Sequence, residues 1–289
     1  MKIKTILSVH AHPDDESSKG AGIIAKYKKQ YGARTVLVTA TGGEEGDIVN
    51  KAMDLPEVRE NLGAIRASEL ATAIEIIGYD AAYSLGYRDS GMPESEANSN
   101  PNAFCNIDLD DSSLKLAEII RRERPVVVLT YPEIQDRYPH PDHIRVYQVT
   151  MRGVELAADP SIEIDGLEAF DVPKIYYHIW TKGRIEALHA KFAEVGKESP
   201  FDEGWFIDAK QDYEATTKID ISEFISVKSD ALRAHATQID PESPFWFGLT
   251  DEEQAEAYPT EDLFLAKAPR GYEFGGYEDD LFAGLDQLS

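Results

Sequence analysis

Two short segments of the chain concentrate reactive side chains: His12-Pro13-Asp14-Asp15-Glu16 and Tyr138-Pro139-His140-Pro141-Asp142-His143. Imidazole nitrogens and carboxylate oxygens are the donors of a hydrolytic metal site, in which three ligands leave one position open for water. Such chemistry also needs a free carboxylate beside the metal to take the water's proton. Adjacent Asp14 and Asp15 can divide these jobs, because a turn points neighbouring side chains in different directions; spacing leaves open which does which. Pro13 and Pro141 stiffen the two turns and so reduce the entropy cost of gathering charged ligands. A lone His-Pro-Asp is more often a turn whose Asp caps the next helix. Two of them, each following an apolar strand, favour a metal site.

The elements that must position these residues alternate. Residues 3–9 are apolar and β-branched, as in a buried parallel strand; 17–31 reads as a helix, and 34–41 as a second strand followed by the loop TGGEEGD. Residues 57–77 repeat apolar positions at helical spacing, with Gly78 as the C-terminal cap. A strand at 81–86, a polar loop over 87–106, a helix at 111–123 and a strand at 125–131 follow. A helix at 143–158, a strand at 174–180, helices near 183–195 and 222–238 and a loop-rich tail complete the reading. The pattern predicts an α/β fold, a Rossmann-like parallel sheet flanked by helices, with ligands beyond the carboxyl ends of the strands. No repeat or linker splits the chain. The expectation is one domain over 1–289, with a core to about residue 160 and a C-terminal elaboration beyond it.

Composition excludes several classes. Lys and Arg total 29 against 53 Asp and Glu, a net charge of −24, which argues against nucleic acid or an anionic membrane as partner. Cys105 is the single cysteine, so neither an internal disulfide nor a Cys-based zinc site can form. The start lacks the features of a signal peptide, and no run of about 18 apolar residues occurs. The expectation is a cytoplasmic protein acting on a small molecule.

His-Pro-Asp-Asp-Glu followed far downstream by His-Pro-Asp-His resembles the signature pair of the PIG-L/LmbE family of metal-dependent deacetylases. HAHPDDESSKGA, TGGEEGD, AMDLPEV, RDSGMP, YPHPDHIR, SDALRAHATQIDP and YPTEDLFLA extend the likeness from residue 10 to about 266, in the form typical of the branch that cleaves mycothiol S-conjugates. The resemblance implies His12, Asp15 and His143 as ligands of zinc, or of ferrous iron, which His and Asp also suit. It makes Asp14 the general base, Tyr138 a donor to the oxyanion, His140 a nearby imidazolium that supports that charge or protonates the leaving amine, and Asp142 the group that orients His140. Arg66 and Asp89 match positions that hold a sugar-inositol moiety, and Lys19 matches a position typical of the amidase branch. The activity implied is hydrolysis of the amide between a glucosaminyl-inositol amine and the acyl cysteine of a mycothiol S-conjugate, releasing a mercapturic acid in detoxification. The alternative is removal of acetate from the same sugar nitrogen during mycothiol biosynthesis.

Other residues invite weaker readings. His10 sits two positions before His12 and is at best a supporting neighbour. His178 and His189 read as ordinary structure, and His235 either reaches the pocket or is an ordinary helix histidine. Cys105 lacks a basic neighbour and is not read as a nucleophile. Gly42, Gly43 and Gly46 are not a phosphate loop, because no Lys-Ser/Thr follows and Glu44, Glu45 and Asp47 repel phosphate. Glu278-Asp279-Asp280 reads as a solvated tail. A two-metal phosphoesterase lacks enough ligands, and a silent sugar-binding protein has no use for the base Asp14.

Overall fold

In the computed structural model, which describes residues 3–135, 138–206 and 213–285, the strands form one seven-stranded sheet. Strands β1 (Thr5–His10), β2 (Arg34–Thr41), β3 (Ala81–Tyr87), β4 (Val127–Thr130) and β5 (Lys174–Ile179) are mutually parallel, in the order β3-β2-β1-β4-β5. Beyond β5 the sheet continues with β7 (Thr260–Lys267) and then β6 (Thr217–Asp220), each pair antiparallel. The apolar runs at β1 and β4 are wholly buried, as expected for strands covered on both faces.

Alternate residues of β1 feed two cores. Leu7 and Val9 pack against Leu116, Ala117 and Ile120 of α5 (Leu109–Glu123) and Val146 and Val149 of α6 (Pro141–Ala158). Ile6 faces the other way, toward Ile23, Ile24 and Tyr27 of α2 (Ala21–Tyr31), Ala73 and Ile77 of α4 (Leu62–Ile77) and Ile225 and Ala231 of α8 (Ile225–Ala234). A sheet between two helical layers results. The remaining helices are α1 (Asp15–Ser18), α3 (Pro56–Glu60), α7 (Lys182–Glu194), α9 (Pro244–Phe247) and α10 (Asp251–Ala257).

Three expectations change. The helix expected over 17–31 is two pieces, α1 and α2, because Lys19 is extended and Gly20 takes φ +90°. Only glycine serves there: a Cβ on Gly20 would lie 2.6 Å from Cε1 of His178 on β5. The helix expected over 222–238 stops at Ala234, which frees His235–Gln238 for contacts described below. Glu278 is not in a solvated tail. It is 4% exposed, and its carboxylate accepts hydrogen bonds from Lys174 (2.8 Å), Tyr176 (2.7 Å) and Tyr272 (2.5 Å). Lys174 opens β5 and is fully buried, so it needs a carboxylate that local sequence cannot identify.

Candidate metal centre

Residues 12–15 turn directly off the end of β1. Asp14 adopts φ 107°, an uncommon conformation for a residue with a Cβ, and its side chain does not cap the helix that follows. The ordinary capping role for this Asp is therefore not the one it plays. The turn separates the two neighbours: Asp15 is buried at the bottom, while Asp14 is half-buried and lines a cavity. Burial, then the adjacent charge of Asp15, pushes the Asp14 carboxyl up to about 7.

Asp15 meets both imidazoles. Its Oδ2 lies 3.4 Å from His12 Nδ1 and 3.3 Å from His143 Nε2, while its Oδ1 accepts from Lys19 Nζ at 2.7 Å. The donor atoms of His12, Asp15 and His143 all fall within 4.8 Å of one another. Ligands 2.1 Å from a tetrahedral zinc would stand roughly 3.4 Å apart, so this spacing fits a small divalent cation. The electrostatics also fit. Burial depresses His143 below its ordinary pKa despite Asp15, which keeps the ring neutral for coordination. Burial acts the same way on His12, but hydrogen bonds to Asp142, Asp15 and Asp89 outweigh it and raise its pKa well above the ordinary value. These three carboxylates favour a positive charge at His12.

Among the described residues a second set, His12, Asp89 and His140, is equally close. It shares His12 with the first, and its other members are engaged. Asp89 accepts from the backbone amides of Gly91 (2.8 Å) and Glu45 (3.2 Å), and His140 Nδ1 accepts from the amide of Asp142 (3.2 Å). The two sets therefore do not amount to a two-metal site.

Asp142 does not take the partner expected of it. Its carboxylate lies 3.2 Å from His12 Nε2 and accepts from the Ser90 amide at 3.0 Å and from the Ser90 hydroxyl. The carboxylate thus fixes the imidazole of His12, with Nδ1 turned toward Asp15, while His140 is held by the backbone amide of Asp142 instead. The imidazolium expected at His140 is disfavoured by its surroundings. Burial, followed by the nearby His12 and His143, lowers its pKa to about 4. Since Nδ1 accepts, the neutral ring carries its proton on Nε2 and is a hydrogen-bond donor. Tyr138 lines the same cavity, exposed, with its ring centroid 5.9 Å from that of His140 and 5.2 Å from that of His143.

Arg66 and Asp89 also reach the cavity, but both brace its wall. Arg66 donates at 3.0 Å to the carbonyls of Gly46 and Asp47, in the loop after β2. His10 is buried, its Nδ1 3.4 Å from the Tyr131 hydroxyl and its ring stacked 5.7 Å from that of His178. His178, expected to be ordinary structure, lines the cavity, and burial depresses its pKa to about 4. His189 bonds Ser199 at 2.8 Å.

Several contributors escape sequence reasoning. Glu16 accepts from the backbone amide of Asp14 at 3.0 Å and pairs with His235. Gln238 donates to the Pro13 carbonyl, and Thr237 is held by Glu69 at 2.7 and 2.8 Å. The segment SDALRAHATQIDP is thus a strap across the turn that carries Asp14 and Asp15. The cavity, about 750 Å³, also takes in all three tryptophans of the chain, Trp180, Trp205 and Trp246. Aromatic residues in IW, GWF and PFWF were the available signal, without a position.

No helix among the described residues is long and apolar enough to cross a membrane. The family profile for GlcNAc-PI de-N-acetylase (PIG-L) matches residues 7–154. The chain is 40% identical to the mycothiol S-conjugate amidase of Streptomyces coelicolor, covering 97% of each chain. It is 38% identical to the 1D-myo-inositol 2-acetamido-2-deoxy-alpha-D-glucopyranoside deacetylase of Geodermatophilus obscurus, covering 98% of each. The fold is similar to that of N,N'-diacetylchitobiose deacetylase from Pyrococcus horikoshii, with TM-score 0.62 and 19% identity over 91% of this chain and 84% of that one. It is also similar to the conserved protein TT1542 from Thermus thermophilus, with TM-score 0.59 and 22% identity over 93% and 96%.

Proposed function

The chain belongs to the GlcNAc-PI de-N-acetylase (PIG-L) family of hydrolases, and on that basis we propose that it is a metal-dependent amidase of mycothiol S-conjugates. It would cleave the amide between the 2-amino group of glucosaminyl-inositol and the acyl cysteine, giving a mercapturic acid and the free amine. The observation that carries the hydrolytic reading is the division of labour at residues 14 and 15. Asp15 faces His12 and His143, while Asp14, raised to about 7, is left facing the cavity.

His12, Asp15 and His143 would hold the metal, zinc by the donor set, with ferrous iron also suited. When bound, it supplies Lewis acidity, acidifying the attacking water and drawing charge from the scissile carbonyl. Asp14 takes the proton from that water and returns it to the leaving amine, a reversible task suited to a carboxyl near neutrality. The Tyr138 hydroxyl and the Nε2–H of neutral His140 donate to the carbonyl oxygen as it gains charge. Asp142 keeps His12 in the tautomer and orientation that offer Nδ1. Arg66 and Asp89 hold the loops that face the sugar. Lys19, 24% exposed and paired with Asp15, stands where the acyl cysteine would pass and offers its ammonium to that moiety.

Deacetylation of the same sugar nitrogen is the second reading, favoured by the likeness to named deacetylases at 38% identity. The test is kcat/KM of the metal-loaded enzyme on an S-conjugated mycothiol and on N-acetylglucosaminyl-inositol. At least tenfold preference for the conjugate is expected; the reverse preference assigns the chain to deacetylation.

A further inference from the structure

The strand order lays the cavity out as a sequence of zones. The loop after β2, with Gly43, Gly46 and Asp47, and Asp89 after β3 lie at one side. The metal ligands follow β1 and β4 in the middle, and Trp180 follows β5 at the other side. There Trp180 stacks on Phe245 with centroids 5.6 Å apart and planes 13° from parallel; Trp205 lies 5.6 Å from Phe245, and Trp246 stands edge-on to it at 4.7 Å. Behind these rings, Ile185, Phe192, Phe201 and Leu249 form a small core of their own, separate from the two cores of the sheet. Trp180, Trp205 and Phe245 pack against this core.

This wall has no task in the hydrolytic step. Trp180, Trp205 and Phe245 are only partly buried although hydrophobic, and each lines the cavity, as does Trp246. Strands stand about 4.8 Å apart, so the end of β5 lies roughly 10 Å from that of β1. The methyl of an acetyl group reaches only about 1.5 Å past its carbonyl carbon and leaves the wall untouched. The side chain of an S-substituted cysteine, extended from the same carbonyl, spans the gap.

We propose that the aromatic wall is a subsite for the substituent on sulfur, and that its ligand class is a flat apolar group, aromatic by preference. The proposal rests on the amidase reading and deepens it: the polar zone takes the constant sugar-inositol half, and the wall takes the variable half. Aromatic faces in a fixed stack select planar apolar groups by offset stacking and area, without hydrogen bonds that would demand one particular structure. The enzyme would therefore accept many conjugates and rank them by the size and flatness of the sulfur substituent.

The test uses the S-benzyl and S-methyl conjugates, with wild type and Trp246→Ala. Trp246 stands outside the small core behind the wall, so its removal spares that packing. Wild type should favour the benzyl conjugate in kcat/KM by about tenfold or more, and Trp246→Ala should erase most of that ratio. A second arm needs no turnover: equilibrium dialysis of N-acetyl-S-benzylcysteinamide and its S-methyl analogue against both proteins. Tighter binding of the benzyl compound to wild type, lost in the variant, supports the subsite. Equal binding of the two compounds to wild type overturns it, as does a variant that keeps the full benzyl preference. If wild type deacetylates but cleaves neither conjugate, the amidase reading falls, while the binding arm still decides the subsite.

Discussion

His235 places Nε2 2.7 Å from Glu16 Oε1, with both side chains completely buried. The same carboxylate accepts, through Oε2, the backbone amide of Asp14. One buried pair therefore fastens the left-handed residue that presents the proposed base. His235→Ala should lower stability by about 3–5 kcal/mol, because it strands Glu16 without its partner. It should also reduce kcat more than it changes KM, since the base loses its position rather than the substrate its contacts. His235→Gln, which retains a donor, should recover much of the rate. Urea denaturation and steady-state kinetics on both variants check this; a loss confined to KM would disconnect the pair from Asp14.

Asp14 and Asp15 are chemically identical neighbours with separable consequences. Asp14→Asn should retain metal and lose roughly 10²–10⁴ in rate, the usual worth of a positioned proton transfer. The acidic limb of its pH–rate profile should disappear. Asp15→Ala should instead lose metal. Metal content and kcat/KM of the two purified proteins decide the matter, and the opposite pattern would reverse the roles.

Asp142 contacts no proposed substrate atom, yet it fixes His12 at 3.2 Å. Asp142→Asn should keep the Ser90 contact and weaken metal binding by about tenfold, at the lower end of what such supporting carboxylates contribute. Competition with a chromophoric chelator measures it. Undiminished affinity would mean that His12 is held by packing alone.

Glu261, on β7, is 3% exposed and binds Lys228 at 3.0 Å together with the amides of Gly20 (3.3 Å) and Ile23 (3.1 Å) at the start of α2. Burial pushes its carboxyl up, but Lys228 outweighs that and holds it below the ordinary value of 4.5. A lowered folded pKa means that the stabilisation is complete above that ordinary value and is lost as pH falls through the folded one. Glu261→Gln should cost about 3–5 kcal/mol at pH 7, and the gap to wild type should close progressively below pH 4.5. Denaturation at pH 7 and at successively lower pH tests the sign; a gap that widens in acid contradicts it.

What was legible in the sequence is the parallel half. β1 and β4 are apolar runs and the helices between the strands carry the matching periodicity, so the alternation and the parallel direction follow from local pattern, whereas the order β3-β2-β1-β4-β5 is given by the fold alone. The two reactive segments were legible for the same reason, being short and attached to strand ends. β7 was not, because TEDLFLAK mixes charges with apolar residues and its charges turn out to be structural. Glu261 serves Lys228, and Asp262 accepts from Thr181 and Tyr258. Partners such as Glu16 with His235, Asp142 with His12, and Glu278 with Lys174 are distant in sequence. A carboxylate in isolation reads as solvated, and only the fold reveals which ones are buried and paired.

The late return of β7 into the sheet also sets an order of assembly. β2 pairs with β1 through the next segment of the chain, Thr5 beside Arg34, whereas Ile6 of β1 meets Val127 of β4 and Tyr176 of β5 meets Leu265 of β7 across long intervening stretches. Pairings so far apart close slowly, because a long loop must be ordered before its contacts repay it. On a ribosome, the segments bearing His12, Asp15 and His143 have all emerged before Trp180, Trp205 and Trp246. The half bearing the candidate metal centre can thus begin to collapse while the half bearing the aromatic wall is still being made. Hydrogen exchange during refolding should protect β1 and β2 before β7, so the proposed aromatic subsite would be completed after the segments of the candidate metal centre have begun to pack.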